Sequence, residues 1–276
     1  MFRSANRLSA ALKILCYASA FWTAAALFFI IGFIFFKGLP HLNRELFSIT
    51  YSSENAALLP ALINTLIVTA LALFIAVPLG IFSAIFLVEY AGVKTPFVSA
   101  ARLTTETLSG IPSIVYGLFG FLLFVSSFKW GYSVLAGAAT LAVMILPLII
   151  RTTEEALKTV PAAYREGSFA LGAGKLRTIF RIALPAARPG ILAGVILAIG
   201  RIAGETAALI YTAGTVARVI PDLMSSGRTL SVHLYELWNE GINTGPAYGA
   251  ALVLLFMVTG INTLSAFIAR RPPPDR

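Results

Sequence analysis

Six long runs of apolar residues divide this chain, and more polar stretches of unequal length separate them. A helix that crosses the hydrocarbon core of a bilayer needs about 20 mostly apolar residues, which each run supplies or approaches. The runs cover residues 14–36, 58–88, 108–128, 132–150, 191–217 and 247–269. The pattern therefore predicts an all-α, polytopic membrane protein with about six transmembrane helices.

Composition supports a location in the bilayer. Hydrophobic residues make up 58% of the chain and charged residues only 12%, against roughly 25% charged residues in a soluble domain. The formal net charge is +9, but the basic residues are spread between the apolar runs and form no single stripe. We therefore expect contact with membrane lipid and no binding of nucleic acid.

The distribution of Lys and Arg predicts the orientation. Six spans place both termini on one side, and the positive-inside rule favours the side that carries more basic residues. With the termini inside, the basic residues left outside are Lys37, Arg44, Lys129, Arg218 and Arg228. The sequence thus predicts a multi-pass protein of the bacterial inner membrane with cytoplasmic N- and C-termini.

The first apolar run is interpreted as an uncleaved span. Ala18-Ser19-Ala20 resembles a signal-peptidase site, but too few apolar residues precede it and the apolar sequence continues beyond it. We expect residues 1–61 to form an N-terminal tail, the first helix and an external loop. Residues 62–269 would form the core, with a cytoplasmic loop at 151–188, and residues 270–276 a cytoplasmic tail.

Three prolines fall within the apolar runs. Pro78, Pro112 and Pro147 each remove one backbone donor, which predicts kinked helices at these positions. A role in gating and simple tolerance of proline in a membrane helix remain open alternatives.

The loop at residues 151–188 has regularly placed apolar residues among its charges. Pro161 can begin a short helix, and Gly172 can end it in the left-handed conformation. A second short helix can begin at Lys175 and end before Pro185. A generic basic loop on the membrane surface is the alternative interpretation.

The spacing within this loop resembles a known motif. Glu166-Gly167-Ser168, Gly172 and Ile182-Ala183-Leu184-Pro185 are spaced as in the EAA loop of binding-protein-dependent ABC importers, with Gly167 and Ser168 in place of the usual alanines. The resemblance implies a type I ABC importer permease whose loop docks in a groove of a cytoplasmic ATPase. The implied ATPase-coupling residues are Tyr164, Arg165, Glu166, Gly167, Ser168, Leu171 and Gly172.

No catalytic or metal site is expected. Gly172-Ala173-Gly174-Lys175 resembles a phosphate-binding loop, but Leu176 stands where the Mg²⁺-binding Ser or Thr belongs. Cys16 is the only cysteine, and His41 and His233 are far apart in the sequence. We expect a transport subunit that is not an enzyme and binds no cofactor, with ATP and Mg²⁺ held by the partner ATPase.

Two charges lie within the fifth apolar run. Arg201 and Glu205 are four residues apart, which predicts that they share one helix face and can pair. A structural ion pair is one interpretation; the other is an arginine that binds a passing oxyanion through its bidentate fork. Gly200 and Gly204 predict close packing of this helix against another.

A second resemblance concerns the substrate. Gly200-Arg201-Ile202-Ala203-Gly204-Glu205-Thr206 and Gly110-Ile111-Pro112-Ser113-Ile114-Val115-Tyr116-Gly117 are similar to the GRAxGET and GIPSIVYG segments of phosphate-specific permeases. The continuation to Leu209 is closer to PstA-type than to PstC-type subunits, although Ala208 replaces a usual proline. The implied translocation-pathway residues are Arg201, Glu205, Thr206, Ser113 and Tyr116.

This resemblance implies the channel-forming subunit of an ATP-driven inorganic phosphate importer that works by alternating access. Its implied partners are a PstC-like sister permease, a PstB-like ATPase dimer and a PstS-like external phosphate-binding protein. A sulfate or molybdate permease of the same class is the nearest alternative. A secondary phosphate transporter is a further one, although no internal repeat is visible in the sequence.

Overall fold

The computed structural model describes residues 2–52, 55–91, 96–241 and 244–269, so the predicted tail at 270–276 lies outside the described residues. The described ranges are helical and irregular, without strands. The α-helices are α1 Phe2–Gly38, α2 Leu59–Ile85, α3 Pro96–Ser109, α4 Ser113–Gly120, α5 Val134–Lys158, α6 Ala162–Ala170, α7 Lys175–Thr178, α8 Leu184–Ala203, α9 Ala207–Ile210, α10 Leu230–Glu240 and α11 Thr244–Ala269. Wider π-helical turns continue α2 over Phe86–Tyr90, α4 over Phe121–Ser127 and α7 over Ile179–Ala183.

Six membrane spans emerge from these helices. The described residues contain five helices that are long and apolar enough to cross a bilayer, and α3 with α4 makes a sixth span bent by 103°. Arg102 of α3 pairs with Glu154 near the end of α5, while Phe121 after α4 packs on Tyr132 just before α5 begins. The bent pair thus follows α5 from end to end, and the prediction of about six spans is confirmed.

Helix α5 is the centre of the bundle. It packs against both α2 and α8, and its inner residues are fully buried. Gly80 of α2 lies against Ile149, and Gly190 of α8 lies so close to Ala156 that an added Cβ would come within 2.7 Å of its Cβ. Because lipid tails provide no hydrophobic drive between helices, such small residues permit the close packing that holds the bundle together.

Helix α1 lies at the periphery. Phe33 packs edge-on against Tyr248 of α11, and Phe35 packs against Phe256 of the same helix. The apolar window of α1 is otherwise exposed within the chain. This helix is therefore held mainly by the last span.

The fifth span ends earlier than predicted. The sequence predicted a helix that continues to residue 217, but α8 ends at Ala203, and the chain turns at Gly204 before the short helix α9. The backbone N–H of Glu205 donates to the Ile202 carbonyl at 3.0 Å, which tightens the last turn. Glycine at 204 weakens continuation of the helix at this point.

The helices on both sides extend into the predicted cytoplasmic loop at 151–188. Helix α5 continues to Lys158 and a continuous helix begins at Lys175, so the connection between these two helices covers residues 159–174. The predicted helix end before Pro185 is wrong, because the π-helical turn Ile179–Ala183 shifts the hydrogen-bond register before that proline.

The other prolines differ in effect. Pro78 and Pro147 lie inside α2 and α5, which both continue through them; the kinks expected at these two positions stay a prediction. At Pro112 the chain bends sharply between α3 and α4. Here Gly110 precedes the proline, and the backbone at Pro112 is extended (ψ 141°), so no helix can continue.

Residues 211–229 fold over the start of α5. The Ser133 N–H donates to the Thr212 carbonyl, and the Val134 N–H donates to the Ser225 carbonyl, both at 3.0 Å. Asn64 of α2, fully buried, fixes the loop from the other side. Its Nδ2 donates to the carbonyls of Arg218 (2.8 Å) and Arg228 (3.2 Å).

Near this loop, His233 of α10 is buried and neutral. Burial, together with the positive charge of Arg228, lowers its pKa to about 3. The guanidinium of Arg228 lies over the Tyr51 ring at 4.4 Å, and that ring also packs edge-on against His233. The cluster joins the segment before α2 to the start of α10.

Replacing Asn64 tests the attachment of this loop. Asn64→Ala would remove the hydrogen-bond partner of three backbone groups. These are the carbonyls of Arg218 and Arg228 and the Ile220 N–H, which donates to Asn64 Oδ1 at 3.3 Å. We expect a loss of about 2 kcal/mol or more in unfolding free energy, measured by thermal unfolding in detergent. Asn239→Ala, at an exposed position, is the control; equal melting of the two variants would contradict the prediction.

Candidate functional site

Two irregular segments of the bundle meet each other. Gly117 of α4 lies against the segment after α8, where an added Cβ would come within 2.9 Å of Ala208 Cα and 3.2 Å of the Ala207 carbonyl oxygen. We call this contact of residues 110–117 with residues 200–209 the motif crossing. These are the two stretches singled out in the sequence, and the fold packs them together.

A side chain stabilises the bend on one side of the crossing. Tyr116 is buried, and its hydroxyl donates to the Leu108 carbonyl at 2.7 Å across the bend between α3 and α4. That carbonyl, in the last turn of α3, also accepts the Ile111 N–H at 3.1 Å, so the Tyr116 hydroxyl adds a second hydrogen bond at the bend. Tyr116 was predicted as a pathway residue, and in this structure its hydroxyl is engaged in holding the bend.

Glu205 stabilises the break on the other side of the crossing. Its carboxylate Oε1 accepts a hydrogen bond from the Ala208 N–H at 3.4 Å, at the start of α9. Its own carbonyl accepts the Ser231 hydroxyl at 2.6 Å. The prediction that Arg201 and Glu205 share a helix face is wrong, because α8 ends between them.

Arg201 is consequently separate from Glu205. None of the ion pairs among the described residues involves Arg201, which is half-buried in the last turn of α8. It lines a cavity of about 700 Å³ whose other lining residues are mostly apolar and come from α5, α8 and α11. The polar companion in that lining is Asn262, whose amide also lies next to Gly200.

The side chains of the remaining predicted pathway residues, Thr206 and Ser113, have different surroundings. Thr206 lines a second cavity, of about 440 Å³, with Ser231 and the aromatic residues Tyr235 and Trp238. Ser113, at the start of α4, is half-buried. Within the motif crossing, the side chains of Tyr116 and Glu205 thus stabilise the two bends, while those of Arg201 and Thr206 line two different cavities.

Helix α6 protrudes from one end of the bundle. All its residues are exposed or half-buried, and Gly172, with φ +80°, ends the turn that follows it. Leu171 is 90% exposed and Tyr164 56% exposed, and Glu166 is also exposed. A short helix with uncovered apolar and acidic side chains is suited to insertion into a groove of another protein.

The two departures from the EAA pattern have different structural effects. Gly167 faces open space, so the alanine that is usual there would fit equally well. The Ser168 hydroxyl lies 2.8 Å from the Thr178 hydroxyl, which is buried. Ser168 therefore joins α6 to the start of the next helix, a bond that alanine could not make.

Comparison with known proteins identifies the family. Residues 76–272 match the family described as "Binding-protein-dependent transport system inner membrane component". The chain belongs to this family. The permease is therefore a multi-pass inner-membrane transport subunit and not an enzyme.

Relatives that are 34–35% identical in sequence match the permease over most of its length. It is 34% identical over 266 residues to the "Probable ABC transporter permease protein YqgI" of Bacillus subtilis, covering 89% of each chain. It is 35% identical over 263 residues to the "Phosphate transport system permease protein PstA" of Pasteurella multocida, covering 92% of this chain and 90% of the relative.

A solved structure confirms the fold. A chain of a bacterial alginate ABC transporter, crystallised with an alginate-bound periplasmic protein, superposes on the permease with a TM-score of 0.71 at 16% identity and covers 94% of each chain. The predicted all-α fold of a type I ABC importer permease is therefore confirmed.

Sequence reasoning missed several charged and polar residues of the permease. Glu89 pairs with Arg165, and Glu154 pairs with both Arg102 (2.7 Å) and Lys158 (2.6 Å). Asn262 lies beside Arg201 in the cavity. A polar amide in the last apolar run is a signal that could have identified Asn262, whereas the ion pairs depend on how distant segments fold together.

The close contact at the motif crossing yields a prediction. Gly117→Val would force α4 away from Ala208, at a cost of about 1–3 kcal/mol in folding free energy from overpacking. We expect lower thermal stability of the purified permease and reduced transport. Gly260→Val is the matched control, because Gly260 faces open space; the same loss in both variants would refute the importance of the crossing.

Proposed function

We propose that this chain is the PstA-type, channel-forming permease subunit of an ATP-driven importer of inorganic phosphate. The observation that carries this proposal is the motif crossing, in which the two stretches that resemble phosphate permeases pack against each other. The similarity to a protein named as a phosphate transport permease, over almost the whole chain, supports it.

The partners follow from the same class of transporter. We expect a PstC-like sister permease, a PstB-like ATPase dimer that binds ATP and Mg²⁺, and a PstS-like phosphate-binding protein on the outside. Helix α6 would enter the ATPase groove through Tyr164, Glu166 and Leu171, which are all exposed. The end of the bundle that carries α6 and the N-terminus of α1 is then cytoplasmic, and Arg44 and Arg228 are external.

The mechanism in this proposal is alternating access. Closure of the ATPase dimer moves α6, and the spans respond by changing between inward-open and outward-open arrangements. The broken spans at the motif crossing are suited to such a change, because their bends lack a continuous helical ladder and depend on a few hydrogen bonds, such as those from the Tyr116 hydroxyl and the Ile111 N–H to the Leu108 carbonyl. Phosphate from the binding protein enters when the outer side opens.

Arg201 is the proposed phosphate ligand. A guanidinium keeps its charge at physiological pH and donates paired hydrogen bonds to an oxyanion. Its lack of an ion pair among the described residues leaves its donors available, and Asn262 can add a neutral amide donor from the same cavity. A charge within the membrane is costly, and such residues commonly mark the pathway of a substrate or ion.

Arg201→Lys tests this role. Lysine keeps the charge but loses the bidentate fork, so we expect phosphate uptake to fall by about tenfold or more, since a hydrogen bond to a charged group is worth about 1.5–3 kcal/mol. Membrane levels of the assembled complex should be unchanged. Arg44→Lys, at an exposed position, is the control, and wild-type uptake by Arg201→Lys would overturn the assignment.

Glu166→Lys tests docking of the ATPase. Reversing this exposed charge should weaken binding of the ATPase to the permease pair and reduce uptake by more than about tenfold. Labelled phosphate and sulfate uptake would be compared in cells without other phosphate importers, together with co-purification of the ATPase. Glu240→Lys, exposed at the end of α10, provides the matched charge reversal away from α6.

The outcomes separate substrate from coupling. Phosphate-selective uptake that is lost only in Glu166→Lys would agree with both parts of the proposal. Uptake of sulfate alone would refute the substrate, and phosphate uptake that is indifferent to Glu166→Lys would refute the docking surface.

A further inference from the structure

Arg165 directs its side chain into the membrane domain, away from the exposed face of α6. Its Nε and Nη2 both donate to Glu89 Oε1, at 3.0 and 2.8 Å. Its Nη1 donates to the Val160 carbonyl and its Nη2 to the Leu157 carbonyl, each at 2.9 Å. One guanidinium thus joins α6 to the end of α2 and to the end of α5.

The pair is protected from solvent. The side chains of Arg165 and Glu89 are only 19% and 10% exposed. Ion pairs at exposed positions contribute little, but a shielded pair with further hydrogen bonds resists separation. Breaking it would leave a charge without its partner in a largely buried position.

A second contact joins the same two regions. The Lys175 ammonium group, at the start of α7, lies 4.5 Å from the centre of the Tyr90 ring. The segment from α6 to the start of α7 is therefore attached at two points to neighbouring residues of the second span. Arg165 contacts Glu89, and Lys175 contacts Tyr90. We call these four residues the α2 clasp.

The α2 clasp includes two residues of a π-helical turn. Glu89 and Tyr90 lie in the π-helical turn Phe86–Tyr90, which the Ala91 N–H closes on the Phe86 carbonyl at 2.9 Å. Such wide turns are uncommon and occur frequently at functional positions. The turn continues α2, which packs extensively along α5, so a force on Glu89 acts directly on the core of the bundle.

We propose that Glu89 is a positioning residue that transmits movement of the coupling helix α6, through Arg165, to the second span. This inference rests on the proposed function, since it supposes that an ATPase moves α6. It assigns Arg165 an inward, transmitting role and leaves contact with the ATPase to Glu166, Tyr164 and Leu171, which are exposed.

The experiment uses the full transporter complex in proteoliposomes, with phosphate-loaded binding protein outside. Phosphate imported and ATP hydrolysed are measured together for Glu89→Gln, which keeps the side-chain size and removes the charge. We expect ATP hydrolysis to continue while phosphate imported per ATP falls by at least about fivefold. The control is Glu155→Gln, which breaks the exposed ion pair with Arg151 and should leave this ratio unchanged.

A chemical link distinguishes transmission from simple stability. Glu89→Cys and Arg165→Cys are combined with Cys16→Ser, and a short bifunctional thiol reagent is added after the complex has assembled. We expect little phosphate imported per ATP before the link forms, and recovery of this ratio after it has formed. A residue needed only for folding would give no such recovery in an assembled complex.

An unchanged amount of phosphate imported per ATP in Glu89→Gln overturns the proposed role of Glu89. If Glu89→Gln fails to assemble, two other variants decide: the double-cysteine complex, and Glu89→Asp, which keeps the carboxylate and should import an intermediate amount of phosphate per ATP. Absence of both the recovery on cross-linking and the intermediate value overturns the proposal. A wild-type complex that imports no phosphate refutes the proposed function instead.

Discussion

The bundle depends on close backbone packing around α5. Within a bilayer, unpaired backbone groups are costly, and helices gain little by burying apolar side chains against each other. Gly80 and Gly190 therefore let α2 and α8 approach Ile149 and Ala156 at distances that any side chain would prevent. This tight three-helix core gives the peripheral helices a fixed surface, and it makes the position of α2 sensitive to what is attached at its end.

The irregular segments that pack on this core are short, and side chains make hydrogen bonds to the backbone at each of them. At the bend before α4 the Leu108 carbonyl accepts hydrogen bonds from both the Tyr116 hydroxyl and the Ile111 N–H, and at the break after α8 the Glu205 carboxylate accepts one from the Ala208 N–H. Both breaks meet at Gly117, so each of the two motifs stabilises a bend beside the other. Irregular backbone at membrane depth is tolerated where protein surrounds it, and such places are suited to binding or gating.

Much of this architecture could be predicted from the sequence, because apolar runs determine the number of spans and glycine and proline mark the turns. The six spans and the stop at Gly172 follow from such local signals. The early end of α8 could not be predicted from hydropathy, since residues 207–217 are also apolar. Nor could the pairing of Glu89 with Arg165, because it joins residues that are 76 positions apart.

The most direct test of the account is to measure labelled phosphate uptake while ATP and ion gradients are varied independently. Cells that depend on this chain and its partners would be treated with a protonophore while ATP is maintained by glycolysis, or depleted of ATP while the gradients are held. Uptake by an ATP-driven permease should survive loss of the gradients and stop when ATP is depleted. Uptake that stops with the gradients and survives ATP depletion would contradict an ATP-driven permease.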